Sequence, residues 1–166
     1  MQQMLGIYLV SNEHQDGSEN NGAWFDCPLS PELIKERLGT LNVHVEDYDF
    51  DHESFELDIF DKSVEEINRL YRLITEISEV AMLSGPAVIA AGLFTNFDDF
   101  VHHWTELKIY PEIEGNADLG RHIFETDTIQ LPHDISDYVD FNKLGRDYLI
   151  NASGAFSRMG YVERRA

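Results

Sequence analysis

Half of the sixteen residues in the stretch 46–61, EDYDFDHESFELDIFD, are carboxylates: Glu46, Asp47, Asp49, Asp51, Glu53, Glu56, Asp58 and Asp61. Carboxylates this crowded can hold a metal, work as an acid–base pair, or present fixed negative charge to a cationic partner. Asp47, Asp49 and Asp51 alternate with Tyr48 and Phe50, and Glu56 and Asp58 alternate with Phe55, Leu57 and Ile59. A period of two is that of a strand, so one face is expected to be buried and the other to carry carboxylates in rows. Same-face residues on a strand sit about 6.6 Å apart. That pitch is on the order of the charge spacing along a nucleic-acid backbone.

The metal reading is the first to test. Asp47, Asp49 and Asp51 match positions 1, 3 and 5 of an EF-hand loop, with Asp58 at position 12. His52 stands where that loop needs glycine, Asp58 where it needs a bidentate glutamate, and no helix flanks the stretch. Asp99 upstream of Glu106-Leu107-Lys108 has the outline of a metal nuclease, but a chain this acidic repels such a substrate. Glu106 and Lys108 read equally well as the wet face of a strand. His102 and His103 are adjacent and point to different faces of a helix. Glu53 and Glu56 could pair as catalytic carboxylates, although crowded acids are more often a solvated face. Cys27 has no basic neighbour in sequence and sits beside Trp24 and Phe25, as a small buried residue would. No nucleophile elbow, phosphate-binding loop, dinucleotide fingerprint or paired CxxC is present. No catalytic residue, metal or cofactor is expected.

The elements that must position these groups can be read in order. Residues 5–10 form a strand with Tyr8 and Val10 on one face, and 23–25 a second strand after a polar loop. Ser30-Pro31 opens a helix that Gly39 stops, with Leu33, Ile34 and Leu38 as its buried stripe. Residues 41–45 and 55–60 are expected as strands around the acidic centre. Ser63 and Glu66 form a capping box before Ile67, Leu70, Tyr71, Ile74 and Ile77 at helical spacing. Gly85-Pro86 is expected to split the following apolar stretch into two short helices. Asn96 caps a helix carrying Phe97, Phe100 and Val101, and 107–110 is a strand. Asn116 is expected to cap a helix with Leu119, Ile123 and Phe124, and Asp134 and Asp140 to cap two more. Residues 156–162 close a hairpin about Met159-Gly160.

These elements make an α+β chain in three blocks. Residues 1–61 hold an antiparallel sheet with net charge −12, 62–104 are helical at −3, and 105–166 are mixed at −4. The total of −19 comes from 31 acids and 12 bases in 166 residues. A 43% apolar share with ten Phe and seven Tyr suits a folded chain. The charge argues against direct binding to nucleic acid or an anionic membrane and in favour of a basic partner. A single cysteine excludes an internal disulfide and suits a reducing compartment. The first fifteen residues lack a basic start and a long apolar run, and residues 80–97 are broken by glycine and proline. A soluble, intracellular protein is expected.

Several segments together resemble the ArdA antirestriction family of plasmids and conjugative transposons. Gly22-Ala23-Trp24-Phe25 resembles its N-terminal G-A-W segment, and Ile67-Asn68-Arg69-Leu70-Tyr71 is similar to its "LNRL" helix. Tyr138-Val139-Asp140-Phe141 with Gly145-Arg146-Asp147 resembles its "YIDY…GRD" segment. Residues 80–130 and the tail 161–166 carry no such likeness. The resemblance implies a bacterial cytoplasmic DNA mimic: an elongated, curved homodimer of three small modules. It also implies the partner, a Type I restriction–modification enzyme whose specificity and modification subunits lose their DNA groove to the mimic.

On that reading the eight acids of 46–61 are phosphate surrogates. Asp98, Asp99, Glu112, Glu114, Asp118, Glu125 and Asp127 would continue the track. Tyr138, Val139, Asp140, Phe141, Arg146 and Asp147 would support the dimer, or serve the fold alone, with Arg146 and Asp147 as a local ion pair. Trp24, Leu70 and Tyr71 are expected in the core. The rival readings are an acidic adaptor or chaperone for basic proteins, which needs charge but no fixed spacing, and a metal-dependent hydrolase on Asp99, Glu106 and Lys108.

Overall fold

A computed structural model describes residues 4–13, 21–126 and 128–165. The chain is α+β and divides into two compact units, residues 1–77 and 78–166. The expected helical block 62–104 is shared between them, its first helix in the first unit and the rest in the second.

In the first unit, β1 (Leu5–Ser11) is the middle of an antiparallel sheet, flanked by β2 (Gly22–Asp26) and β3 (Val43–Phe50). Leu5, Ile7 and Leu9 of β1 are buried, as the period of two requires. Phe25, Val45 and Phe50 join them in the core. Helix α1 (Pro31–Leu38) starts as expected: Ser30 accepts from the Leu33 amide, and Gly39 ends it at a φ of 75°. Only Ile34 and Leu38 of its apolar residues are buried; Leu33, expected among them, is exposed.

Strand β3 begins and ends later than expected, and its register slips once. Tyr8 faces Asp47 while Leu9 faces Val45, so Glu46 is an extra residue in a bulge. The bulge lets Glu46 and Asp47 both face outward while Val45 and Phe50 stay buried. Residues 55–60 correct the expectation of a strand. Phe55, Leu57 and Ile59 are buried and Glu56 and Asp58 exposed, the predicted alternation, yet none of the described strands pairs with them. The Leu57 amide donates instead to the Tyr48 hydroxyl at 3.1 Å. Alternation reports burial, and a ladder also needs an aligned neighbour.

Helix α2 (Val64–Glu76) has the full capping box, Ser63 accepting from the Glu66 amide and Glu66 from the Ser63 amide. Ile67, Leu70, Tyr71 and Ile74 are buried.

In the second unit, α3 (Glu79–Ala90) runs unbroken through Pro86, against the expected split. Gly85 before it has no Cβ to meet the proline ring, which removes one of the two clashes that stop a helix there. Burial of Ala81, Met82, Ser84 and Val88 holds the rest of the helix against the one missing hydrogen bond. Helix α4 (Phe97–His103) is capped by Asn96, which accepts from the Asp99 amide. Then follow β4 (Leu107–Tyr110), α5 (Asn116–Glu125), a 3-10 turn (His133–Tyr138), α6 (Phe141–Asn151), β5 (Gly154–Ser157) and β6 (Gly160–Arg164).

Gly115 rather than Asn116 stands at the start of α5, and Asp118 reaches back to accept from the Glu114 amide at 3.2 Å. Asp140 caps α6 as expected, while Asp134 lies inside the 3-10 turn and caps nothing. The sheet order is β4-β6-β5, all antiparallel, with Tyr161 and Val162 of β6 fully buried. The tail segment without a family likeness is therefore the central strand of its unit. No single helix among the described residues is long and apolar enough to cross a membrane.

Candidate acidic interface

The bulge and the alternation together expose all eight carboxylates of residues 46–61. Glu46, Asp47 and Asp49 lie on β3, Asp51 and Glu53 in the turn after it, Glu56 and Asp58 on the extended segment, and Asp61 just ahead of α2. Among the described residues, no lysine or arginine forms an ion pair with any of them. Two histidines stand beside them, His44 at 3.9 Å from Glu46 and His52 at 3.9 Å from Asp51. Asp47 accepts from the Tyr48 amide at 2.8 Å, and Asp51 from the Met4 amide at 3.1 Å. Glu46, Asp47 and Asp49 thus carry their charge on a backbone fixed by strand pairing, while the other five stand on the turn and the extended segment that follow.

Register adds a ninth carboxylate. Gly6 on β1 faces Asp26 on β2 and Asp49 on β3, while Tyr8 faces Trp24 and Asp47. The outward side of the sheet therefore carries two rows across its three strands, Asp26-Gly6-Asp49 and Trp24-Tyr8-Asp47. Trp24, expected in the core, is 48% exposed, its ring 5.3 Å from that of Tyr8. Leu70 and Tyr71 are in the core as expected. Asp26 had no sequence signal beyond its charge, since its place depends on strand pairing.

The wall of this face also holds Cys27. Burial, with a smaller contribution from the Asp26 charge, pushes its thiol up to about 12. The cysteine is buried and free, an apolar group rather than a nucleophile.

Acids of the second unit behave differently from one another. Glu112 and Glu114 are exposed after β4, and Glu125 is exposed at the end of α5. Asp98 is exposed, 3.8 Å from His102; Asp118 lies 3.7 Å from Arg121. Asp127 lies outside the described residues. Asp99 is committed inward: it accepts from the Thr95 amide at 2.9 Å, contacts His103 at 2.8 Å and receives Arg164 at 3.3 Å.

Arg164 also donates to Glu106 at 2.7 Å and to the Leu93 carbonyl at 2.7 Å, with its guanidinium 4.2 Å from the Phe94 ring centroid. The two acids of the nuclease outline are thus both tied to one arginine. Lys108 points instead over Tyr110, 5.0 Å from the ring centroid. No group of three or more histidine, cysteine or acidic side chains among the described residues could hold a metal ion.

Residues 138–147 divide between fold and surface. Asp140 accepts from the Lys143 amide at 3.0 Å, and Phe141 packs against Phe124 beneath the Arg121 guanidinium. Gly145 is buried against α5. Tyr138 is 90% exposed, Val139 half-buried, and Arg146 pairs with its neighbour Asp147 at 3.1 Å in solvent.

Comparison with known families gives one match: the model described as Antirestriction protein (ArdA) covers residues 11–163. No curated protein matches the chain.

Proposed function

Because the chain belongs to the ArdA antirestriction family, we propose that it inhibits Type I restriction–modification enzymes by mimicking DNA. The observation that carries this reading is the set of eight exposed carboxylates in residues 46–61, none paired with lysine or arginine among the described residues. A DNA-binding groove is lined with cations that gain affinity by releasing counterions from phosphates. Carboxylates on a folded, preformed backbone offer those cations partners with little ordering cost, which a flexible acidic tail cannot do. Occupancy then blocks cleavage, and methylation with it, by the specificity and modification subunits. No catalytic step by the inhibitor is required.

Asp98, Glu112, Glu114, Asp118, Glu125 and Asp127 are proposed to extend the charged surface; Asp99 belongs to the internal network described above. A second copy of the chain is proposed to pair through the exposed part of 138–147, Tyr138 above all, in the cytoplasm of a bacterial host where such enzymes act. An adaptor for basic proteins would share the charge but would not compete with DNA.

The test is a displacement titration. The protein should release cognate DNA from a Type I methyltransferase, with apparent affinity falling steeply as salt rises. DNA that stays bound at low salt, under saturating protein, would refute mimicry.

A further inference from the structure

The outward side of the first sheet is not flat. A cavity of about 610 Å³ is lined by Gly6, Trp24, Asp26, Asp49 and Asp51 and reaches inward to the buried Cys27 and Tyr71. Gly6 makes the notch. It sits in the middle strand, directly between Asp26 and Asp49 in register, and so leaves a gap where a side chain would stand. A Cβ there would lie 3.6 Å from Trp24 Cε3 and 3.9 Å from both Asp26 Oδ1 and Asp49 Cβ. These are ordinary contact distances, so packing among the described residues does not forbid a side chain at residue 6. A glycine inside a strand weakens it, and one reason to find it there is close approach by another molecule.

We propose that this notch receives one arginine side chain of the protein partner. Three features select that chemistry. Neighbouring strands are about 4.8 Å apart, so Asp26 and Asp49 are about 10 Å apart at their Cα atoms. That gap lets one guanidinium reach a carboxylate on either side. Asp51 adds a third negative charge while its Oδ2 holds the Met4 amide at 3.1 Å.

Trp24 supplies a half-exposed aromatic wall, on which a planar guanidinium stacks better than a compact ammonium does. Among the described residues no lysine or arginine pairs with Asp26, Asp49 or Asp51. Arg37, the base that reaches β2, donates to the Trp24 carbonyl at 3.2 Å and lies over the Phe25 ring at 5.4 Å. Arginines that enter such pockets are frequent energetic anchors of protein interfaces. That the arginine comes from the DNA groove of a restriction enzyme rests on the function proposed above; the pocket's preference for guanidinium does not.

The experiment follows the Trp24 indole N–H resonance of the full chain during titration with N-acetyl-arginine amide, with N-acetyl-lysine amide as comparison. A saturable shift is expected for arginine, with several-fold weaker binding of lysine. Gly6→Val fills the notch with a good strand former and should abolish the shift while the rest of the spectrum is kept. Asp26→Asn with Asp49→Asn leaves the notch open and should weaken binding at least about tenfold, the loss of two charge-assisted contacts. This pair decides the matter if Gly6→Val does not fold.

A shift that never saturates, equal binding of lysine, or binding undiminished in the folded variants overturns the proposal. DNA displacement by the same proteins separates the two readings. Wild type that displaces DNA but shows no saturable arginine shift keeps mimicry and removes the notch. Saturable arginine binding by a protein that cannot displace DNA overturns the restriction enzyme as the source of the arginine.

Discussion

Asn68 Nδ2 donates to the Leu29 carbonyl at 2.8 Å while Asn68 Oδ1 accepts from the Leu29 amide at 2.6 Å. One side-chain amide on α2 therefore satisfies both backbone polar groups of a buried leucine in the loop before α1. A backbone group left unpaired in such a place costs about 1–3 kcal/mol. This gives the asparagine of Ile67-Asn68-Arg69-Leu70-Tyr71 a structural role.

Asn68→Ala is expected to destabilise the first unit by about 2–4 kcal/mol, because both groups lose their partner. Asn68→Asp keeps an acceptor for the Leu29 amide but cannot donate to its carbonyl, so it should fall between alanine and wild type. Urea denaturation of the three proteins measures the order. Alanine and aspartate variants of equal stability would show that the paired contact is not what holds the loop.

Replacing Asp47, Asp49 and Asp51 together by asparagine should separate function from stability. The three side chains are exposed, and asparagine keeps the oxygen that accepts from the Tyr48 and Met4 amides. The change also relieves repulsion within a block whose acids, among the described residues, pair with no lysine or arginine. Melting temperature should hold or rise, while inhibition of a Type I enzyme falls at least about tenfold and its salt dependence becomes shallower. Full inhibition by the triple variant would move the functional surface elsewhere.

Much of this surface was legible because local rules govern it. The caps at Ser30, Ser63, Asn96 and Asp140 need only neighbours in sequence, and each is where the residue types demand. The last hairpin, by contrast, turns on Arg158-Met159, and Gly160, expected in the turn, opens β6. The alternation of 55–60 was also legible as burial. What it lacked was a partner strand, and no residue within the segment reports that. Trp24 and Asp26 were missed for the same reason: they meet Gly6 and Asp49 only through pairing on both sides of β1. Helix α3 defied the proline rule because a buried, apolar surface outweighs one lost hydrogen bond. Arg164, in the tail without a family likeness, reaches back 58 residues to Glu106, a contact that no local pattern reports.

Cys27 should be inert in the native protein. Its thiol is buried and raised to about 12, by burial first and the Asp26 charge second, so almost no thiolate exists near neutrality. At pH 8 a disulfide reagent such as Ellman's should react at least about a hundredfold more slowly with the folded chain than in denaturant. Rapid reaction without denaturant would mean that the cavity beside Gly6 opens at Cys27.

Asp99 should leave a mark on acid stability. The Thr95 amide chiefly, followed by the hydrogen bond with His103 and the Arg164 charge, holds its carboxyl below the usual carboxylate range against an opposing effect of burial. A depressed folded value means stabilisation that is present above the unfolded pKa of about 3.9 and lost as pH falls through the folded value. Asp99→Asn removes the charge at every pH. The gap in melting temperature between wild type and this variant should be widest near neutrality and close as pH falls below about 4. A gap unchanged down to pH of about 2 would deny Asp99 its place in the network.

Gly120 and Gly145 let α5 and α6 touch through their backbones. A Cβ on Gly120 would sit 1.9 Å from the Phe141 carbonyl oxygen, and one on Gly145 1.9 Å from that of Asn116. Neither obstacle is a flexible side chain, so a methyl group must push the helices apart. The separation would also open the core of Leu119, Ile123 and Tyr161, against which Leu144 and Tyr148 of α6 pack. Overpacking typically costs about 1–3 kcal/mol, and displacement of a whole helix belongs at or above the top of that range. Gly145→Ala should therefore cost at least about 3 kcal/mol, although alanine favours an isolated helix over glycine by about 1 kcal/mol. Limited proteolysis gives the readout: cleavage should become rapid in the second unit and stay slow in residues 21–77. An alanine variant as resistant as wild type would show that the helices can part freely and that glycine is not required at their crossing.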